Sequence, residues 1–490
     1  MNRREAILAI LAAGFSGALE NAVSVLGLGA TKNTPPNFVF ILMDDLGWAD
    51  LGCYGNSLHE TPNIDRLAQE GMRFTDAYAA CPVCSPTRAS ILTGKYPVRL
   101  NLTNYIPGRK PQASEKLLAP EFNQQLPLEE VTLAEALARA GYVSASIGKW
   151  HLGAEPYYPE RQGFALNFRG TAMGYAPSYF CLPDEEAAGL CREGEYLTDR
   201  LTDEALRFIE GNKASPFFLY LPHYAVHTPI EAKRGMVEKY EAKFKRLGVK
   251  ANPTYAAMIE SADAGVGRIM RKLEELKLAD RTVVIFTSDN GGLRYEQRRT
   301  EAVTTNAPLR AGKGHLYEGG VREPLIVRWP GVVKPGGTSD VPVTSTDFFS
   351  TLLEIGEIQP RSGEGIDGRS LVPLLQQSGA LDRPAIYWHY PHYSNQGGEP
   401  GGAIRAGDFK LIEFYEDGRL ELYNLKRDIG ERENLAATMP EKAAELRYML
   451  DDWRKSVGAR MPTSNPKFDA SRIDERPTGW FEQHKTRGAD

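Results

Sequence analysis

"FVFILMDD", Phe38 to Asp45, decides the fold. Its apolar run is too short for a buried helix and unbroken by polar residues, the pattern of a strand covered on both faces. It follows the turn-rich "TKNTPPN" and stops abruptly at two adjacent carboxylates. Such a strand belongs to a parallel sheet with helices above and below. Further along the chain the same unit recurs. "EVTLAEALARAGYVSASIG" reads as a helix stopped by Gly141 and then a strand, and "DEALRFIEGNKASPFFLYLP" repeats the order. The long amphipathic stretch from Tyr255 feeds the apolar run Thr282–Thr287, which ends in Asp289 and Asn290. Alternating helices and apolar strands predict an α/β fold whose large, mostly parallel sheet is sandwiched by helices.

After about residue 380 the texture changes. "AIRAGDFKLIEFYEDGRLELYNL" reads as two alternating strands joined at Glu416–Gly418, and a helix is expected over Pro440–Val457. The expected organisation is an export segment over 1–30, a catalytic domain over 35–380 and a smaller antiparallel α+β subdomain over 381–490. Between the last two, "HYPHYSNQGGEPGG" has the composition of a binding loop.

At 490 residues the chain can bury a large core, and 58 basic against 63 acidic side chains give a net charge of -5. That balance carries no footprint for nucleic acid or for an anionic membrane, so capture of an anionic substrate must be local. The basic Arg3 and Arg4 followed by an apolar stretch from Ala6 read as a secretory signal, too short to span a bilayer, with cleavage after Ala18 or Ala30. Export to the periplasm or exterior, without stable membrane insertion, is the expectation. Cys181 and Cys191 bracket a short loop that a disulfide can close. The sequence carries no signal of oligomeric state.

In open α/β sheets, ligands sit beyond the carboxyl ends of the strands, so Asp44 and Asp45 should meet Asp289 and Asn290 there. Adjacent carboxylates at the mouth of an apolar strand need a cation. Three carboxylates and an amide suit a hard divalent ion, calcium or magnesium, better than zinc. As isolated pairs they read equally as strand-end turn residues. "CSPTRASILTG" starts a helix at or near Cys84, where backbone N–H groups favour anions, and Arg88 can aim its fork at the same place. Cys84 then has three readings: a low-pKa nucleophile, a structural thiol, or a disulfide partner of Cys81.

These residues resemble those of the formylglycine-dependent type I sulfatases, arylsulfatase-like members of the alkaline phosphatase superfamily. "CSPTR" with "ASILTG" is that family's signature. The resemblance runs nearly the whole chain, through "TPNIDRLAQEGMRF", "GKWHLG", "HTP", "SDNGG" and "APLRAGKGHLYEGGVREP" to "ELYNLKRDIGERENL". It implies an alkaline-phosphatase-like core, one calcium ion, and oxidation of Cys84 to formylglycine by a maturation enzyme. Carried over, Asp44, Asp45, Asp289, Asn290 and the modified Cys84 become metal ligands. Arg88 holds the modified side chain, and Lys149 and Lys313 grip sulfate. His151 becomes the base that returns the aldehyde, and His227 the acid at the leaving oxygen.

The resemblance thus implies a sulfuric ester hydrolase. Phosphonate or phosphate ester hydrolysis on the same scaffold is the alternative, and a silent sugar-binding relative the third reading. Likeness to secreted bacterial carbohydrate sulfatases points to an exo-acting enzyme on sulfated galactose or N-acetylgalactosamine. For the sugar, Trp388, Tyr390 and Tyr393 offer stacking faces, and His392 and Arg405 are candidates to reach hydroxyls. Trp388 and Tyr390 read equally well as strand core. His315 is a candidate substrate contact or an exposed loop residue. His223 and His227 are four apart, but Pro222 and Pro229 oppose the helix that a zinc pair would need.

Overall fold

The computed structural model describes residues 35–294, 302–361, 363 and 365–476, so the expected export segment lies outside the described residues. The described residues from Pro36 onward form one unit, within which lie two main sheets. The strands are β1 (Asn37–Met43), β2 (Met72–Tyr78), β3 (Leu117–Leu118), β4 (Val143–Ile147), β5 (Leu166–Phe168), β6 (Phe217–Pro222), β7 (Thr282–Ser288), β8 (Arg322–Arg328), β9 (Gly337–Ser339), β10 (Val343–Thr344), β11 (Ile386–Tyr390), β12 (Gly401–Ala406), β13 (Phe409–Phe414), β14 (Leu420–Asn424) and β15 (Thr463–Ser464), the last paired with β3 alone. The large sheet runs β10-β2-β8-β7-β1-β6-β4-β5, with β9 beside β2. β8 is antiparallel to both neighbours and the other pairings are parallel.

β1 is central and wholly buried, as its apolar run requires. Because side chains alternate along a strand, it serves two cores. Val39, Ile41 and Met43 pack with Leu201, Met258 and Val266 from the helices Leu197–Gly211 and Pro253–Glu275. Phe38, Phe40 and Leu42 face the other way, toward Ile91, Leu133 and Phe348. Two helices that flank the site have clear local reasons to begin or end where they do. Asn252 accepts hydrogen bonds from the amides of Thr254 and Tyr255 ahead of Pro253, and Gly94 takes a φ of 70° to end the helix Cys84–Thr93. The sequence-based expectation of a mixed, mostly parallel sheet between helices therefore describes the molecule.

The second sheet, β11-β12-β13-β14, is antiparallel and packs Leu411 and Leu422 against Leu446 and Leu450 of the helix Pro440–Ser456. The expected hairpin at Glu416–Gly418 joins β13 to β14. The stretch before it, however, is two strands rather than one. Gly407 turns at a φ of 58° and folds β12 back on β13, a turn that the alternating pattern on both sides conceals. Cys181 and Cys191 form the expected disulfide, and Cys53, Cys81 and Cys84 are free thiols, which removes the Cys81–Cys84 pairing. Among the described residues no helix is long and apolar enough to cross a membrane.

Candidate active site

The parallel pairing of β7 on β1 sets Ser288 opposite Met43, so Asp44 and Asp45 leave one strand beside Asp289 and Asn290 leaving the next. The amide of Asp289 donates to the carbonyl of Met43 at 3.1 Å, and the amide of Asp45 to Asp289 Oδ1 at 3.3 Å. Asp45 adopts a φ of 62°, which turns its carboxylate back toward the strand ends. From the other side, β4 ends at Gly148. A Cβ there would lie 2.0 Å from the carbonyl oxygen of Pro222, so only glycine lets the chain pass and place Lys149.

Each carboxylate has a close cationic partner, and Asp44 has a second, longer one in Arg88 at 3.7 Å. Lys149 Nζ lies 2.6 Å from Asp44 Oδ2, Lys313 Nζ lies 2.7 Å from Asp45 Oδ1, and Arg88 Nη2 lies 2.8 Å from Asp289 Oδ2. Arg88 also donates to the Lys149 carbonyl at 2.9 Å, tying its helix to β4. Three negative and three positive groups leave the cluster formally neutral, so a divalent ion would give it a surplus of two positive charges. The residues fit such an ion. Asp44 Oδ1 and Asn290 Oδ1 are buried acceptors without a hydrogen-bond partner, a costly arrangement that a hard cation relieves. One ligand atom each from Asp44, Asp45, Cys84 and His227 lie within 4.8 Å of one another. Burial, reinforced by Asp289 and Asp45, pushes Asp44 up to about 7 against the pull of Lys149. Asp45 feels the same burial, but Lys313, His227 and Lys149 outweigh it and hold this group at about 2.

Cys84 opens its helix and is 2% exposed. Burial pushes its thiol up to about 11, despite Lys149 and Lys313. A thiol held this far up is not a thiolate at neutral pH, which disfavours the reading of Cys84 as a nucleophile in its own right. It faces a cavity of about 830 Å3 lined also by Tyr105, His151, Tyr175, His227, Lys313 and Gln396. His151 Nε2 lies 2.6 Å from the carbonyl oxygen of Ile106, an acceptor only, so the ring proton sits on Nε2 and Nδ1 keeps its lone pair. Nδ1 is buried and unpartnered, and burial followed by Lys149 holds the ring well below the usual histidine range. His227 Nδ1 donates to the Thr228 carbonyl at 2.8 Å, and burial with Lys313 lowers the ring to about 3. Its 3.7 Å approach to Asp45 is accordingly a contact of a neutral ring.

Other expected contacts lie elsewhere. Arg405 does not line this cavity: it is bound to Asp76 at 2.7 Å and to the Tyr78 hydroxyl, where β12 meets β2. His392 bonds Thr103 Oγ1 at 2.8 Å and lines a separate cavity of about 390 Å3 with Phe122 and Tyr393. Trp388 and Tyr390 are strand core, the indole donating to the Ala79 carbonyl at 2.8 Å. Tyr393 is buried too, donating to Glu416 at 2.7 Å. Strand alternation turns these rings inward, leaving the neighbouring loop to supply Asn395 and Gln396 to the cavity wall. His315 is buried with Nε2 3.0 Å from the Gln396 carbonyl oxygen, neither an exposed loop residue nor part of the wall. His223 and His227 follow β6 into a loop, not a helix.

Sequence reasoning missed the loop Ala172–Pro177, which forms one side of the cavity. Gly174 lies so close to His151 that a Cβ would come within 2.4 Å of its Cε1. It also missed Glu323, buried with neither carboxylate oxygen hydrogen-bonded. Burial, and then Asp289, Asp45 and Asp50, keep Glu323 protonated well above the usual carboxyl range. The signal was there: a glutamate opening the apolar run of "REPLIVR".

A metal-fitting carboxylate cluster at the strand ends of a helix-sandwiched sheet, with a helix-opening residue above it, defines the alkaline-phosphatase-like hydrolases, type I sulfatases among them. The chain matches the sulfatase family over residues 36–358 and the C-terminal region of N-sulphoglucosamine sulphohydrolases over 311–456. It is 36% identical to N-acetylgalactosamine-6-sulfatase of Canis lupus familiaris, covering 98% of this chain and 91% of that protein. It is 35% identical to a sulfatase of Formosa agariphila, covering 84% of this chain and 86% of that one. The structure of Ps i-CgsB in complex with k-i-k-neocarrahexaose superimposes with a TM-score of 0.72 at 30% identity, over 86% of this chain and 93% of that one. The chain belongs to the sulfatase family, and its reaction is sulfate-ester hydrolysis.

Proposed function

We propose that this enzyme removes sulfate from a sulfated sugar, acting from a chain end, through a formylglycine made from Cys84 by a maturation enzyme. The observation that carries the reading is the convergence of Asp44, Asp45, Asp289 and Asn290 beneath Cys84, with two buried oxygens lacking hydrogen bonds, next to a cavity of sugar size. Calcium is the proposed ion, held by those four residues and the modified residue 84. When bound, it polarises sulfate oxygens and favours the ionised nucleophile. Lys313, on the cavity wall, meets the sulfate, and Lys149 joins it if its ammonium swings from Asp44. Arg88 holds the hydrated residue 84 from below. His151 Nδ1 takes a proton from the hydroxyl at residue 84. His227 acts as the acid with a proton on Nε2, the state that an approaching anionic ester favours over the neutral ring.

The sugar specificity proposed is galactose or N-acetylgalactosamine sulfate. It draws support from the mammalian relative's name, N-acetylgalactosamine-6-sulfatase, and from the k-i-k-neocarrahexaose ligand of the superimposed structure. In place of His392 and Arg405, the cavity offers the half-exposed ring of Tyr175 and the amides of Asn395 and Gln396 for a sugar's face and hydroxyls. Export, expected from the basic and apolar N-terminal stretch, would bring the enzyme to such polymers. The test compares turnover of an aryl sulfate and an aryl phosphonate by the exported protein, alongside the mass of the peptide carrying residue 84. Faster sulfate turnover with an aldehyde-bearing residue is expected; an unaltered thiol in active protein, or a preference for phosphonate, overturns the reading.

A further inference from the structure

A second cavity, of about 720 Å3, backs onto the first. The dividing wall is the pair of segments Gly292–Arg294 and Asn306–Lys313. Leu293 and Lys313 face the Cys84 cavity, whereas Arg294, Asn306 and Arg310 face the second. Asn306 stitches the wall together, accepting from the Gly292 amide at 3.2 Å and donating to the carbonyls of Gly292 at 2.9 Å and Ala311 at 3.0 Å.

The lining of this second cavity is strongly cationic. Arg294, Arg310, Arg419 and Arg432 stand against Glu421 and Glu431, four positive groups to two negative. Both carboxylates are engaged within the protein. Glu421 Oε2 accepts from the hydroxyls of Tyr317 and Tyr423 at 2.7 Å, and Glu431 meets the Glu318 amide at 2.7 Å and Lys410 at 3.0 Å. Two of the guanidinium groups are fixed over aromatic rings. Arg310 lies 3.9 Å above the Tyr317 ring and spends only Nη1 on Tyr423 and the Glu431 carbonyl, each at 2.9 Å. Arg419 lies 3.7 Å above Phe414 and gives Nη2 to Glu399 at 2.6 Å and Nη1 to Asp417 at 3.1 Å, so it adds field to the cavity more than a free fork. Arg294 and Arg432 are exposed, so two held forks are accompanied by two that solvent reaches. Preorganised guanidinium groups match planar or tetrahedral oxyanions, and the volume is that of a small-molecule site rather than of a bare ion.

We propose that this cavity binds an anionic saccharide unit, sulfated or carboxylated, at a site separate from the one where the ester is cleaved. The proposal rests on the reading that the enzyme meets sulfated glycans. It would let the protein hold a polyanionic chain while another sugar occupies the Cys84 cavity.

The test uses the full chain carrying Cys84→Ala, which separates binding from turnover, titrated by calorimetry with a chondroitin 6-sulfate hexasaccharide and, separately, with inorganic sulfate. The hexasaccharide should bind, and adding Arg294→Ala with Arg432→Ala should weaken it by on the order of tenfold and flatten its salt dependence. The same pair in the active enzyme should leave aryl sulfate turnover within about twofold of the parent, as expected of groups outside the cleavage site. Undiminished hexasaccharide affinity in the arginine variant overturns the proposal. Equal affinity for inorganic sulfate does so as well, because the site would then be one for a free ion. Absence of aryl sulfate turnover in the parent would defeat the sulfatase reading, while the titration would still decide the cavity.

Discussion

Two buried ionic clusters in this molecule have the same inventory. One joins Asp44, Asp45 and Asp289 to Arg88, Lys149 and Lys313; the other joins Asp76, Glu318 and Glu431 to Arg322, Arg405 and Lys410. Even the perturbations match. Burial puts Asp44 at about 7 in the first, as burial and Glu318 put Glu431 at about 7 in the second, while cationic neighbours overcome burial to hold Asp45 and Glu318 at about 2. What differs is satisfaction and access. Glu318 bonds Lys410, Arg322 and the Tyr78 hydroxyl at 2.8–2.9 Å, and Glu431 Oε1, although without a hydrogen bond, lies 3.0 Å from Lys410 Nζ; Asp44 Oδ1 instead lies 3.7 Å from Arg88 Nη2, and it and Asn290 Oδ1 lack hydrogen bonds below the Cys84 cavity. Shifted carboxyls alone therefore do not mark the active site, nor does a cavity beside one, since Glu431 also lines a cavity; unmet oxygens converging from two neighbouring strand ends do. The second cluster bolts β2 and β8 of the large sheet to β12 and β13 of the small one.

If that contrast is right, damage to the first cluster should cost chemistry and damage to the second should cost stability. The largest effect should come from Cys84→Ala, with aryl sulfate turnover falling by on the order of 10^4-fold or more while circular dichroism and Tm stay near the parent's. Turnover within tenfold of the parent would remove Cys84 from the chemistry. Next, Asp289→Asn keeps an oxygen for Arg88 but removes a ligand charge. Bound calcium, measured by elemental analysis, should drop, and activity should fall by at least about 10–100-fold, the loss typical of groups that support a metal site. Unchanged occupancy would strike Asp289 from the ligand set. In the second cluster, Lys410→Met leaves Glu318 and Glu431 without their shared cation, at a cost of about 3–5 kcal/mol in chemical denaturation. Specific activity of the folded fraction should be kept; its loss would mean that the small sheet supports the chemistry directly.

The same contrast explains what was legible in the sequence. Asp44, Asp45, Asp289 and Asn290 could be read because each ends an apolar strand, and parallel pairing leaves their side chains only one place to meet. Arg405 could not be read correctly. A cation beside aromatic residues looks alike whether it faces a ligand or a sheet junction, and only the register of β12 against β13 with Asp76 nearby sends it to the junction. His392 and Tyr393 failed for a related reason, since the loop after β11 carries inward and outward residues without a fixed period. Gly407 hid a turn inside an otherwise regular alternation. Gly174 carried no signal at all, because its value lies in what it touches.

Gly174→Ala is therefore a finer probe of the first cluster. His151 is held at Ile106 and cannot easily retreat from a methyl group that would start 2.4 Å from its ring, so the loop or the ring must shift. A fall in kcat of about tenfold, with KM little changed, matches a displaced base; an unchanged kcat would show that the loop gives way instead.

The smallest expected effect concerns pH and the second cluster. Glu431 holds its proton up to about 7 in the folded protein, against an ordinary value of 4.5. A carboxyl whose folded value is raised contributes stability that is complete below its unfolded value and is lost as pH climbs through the folded one. Between about pH 4.5 and 7 the unfolded chain releases this proton while the folded protein keeps it, so stability should fall by on the order of 1 kcal/mol. Glu431→Gln keeps an oxygen for the Glu318 amide and cannot ionise, so its Tm should decline less than the parent's over that interval. Parallel curves for the two proteins would mean that Lys410 already neutralises Glu431 throughout. The second cluster would then be an ordinary bolt, without the divided protonation that makes it resemble the first.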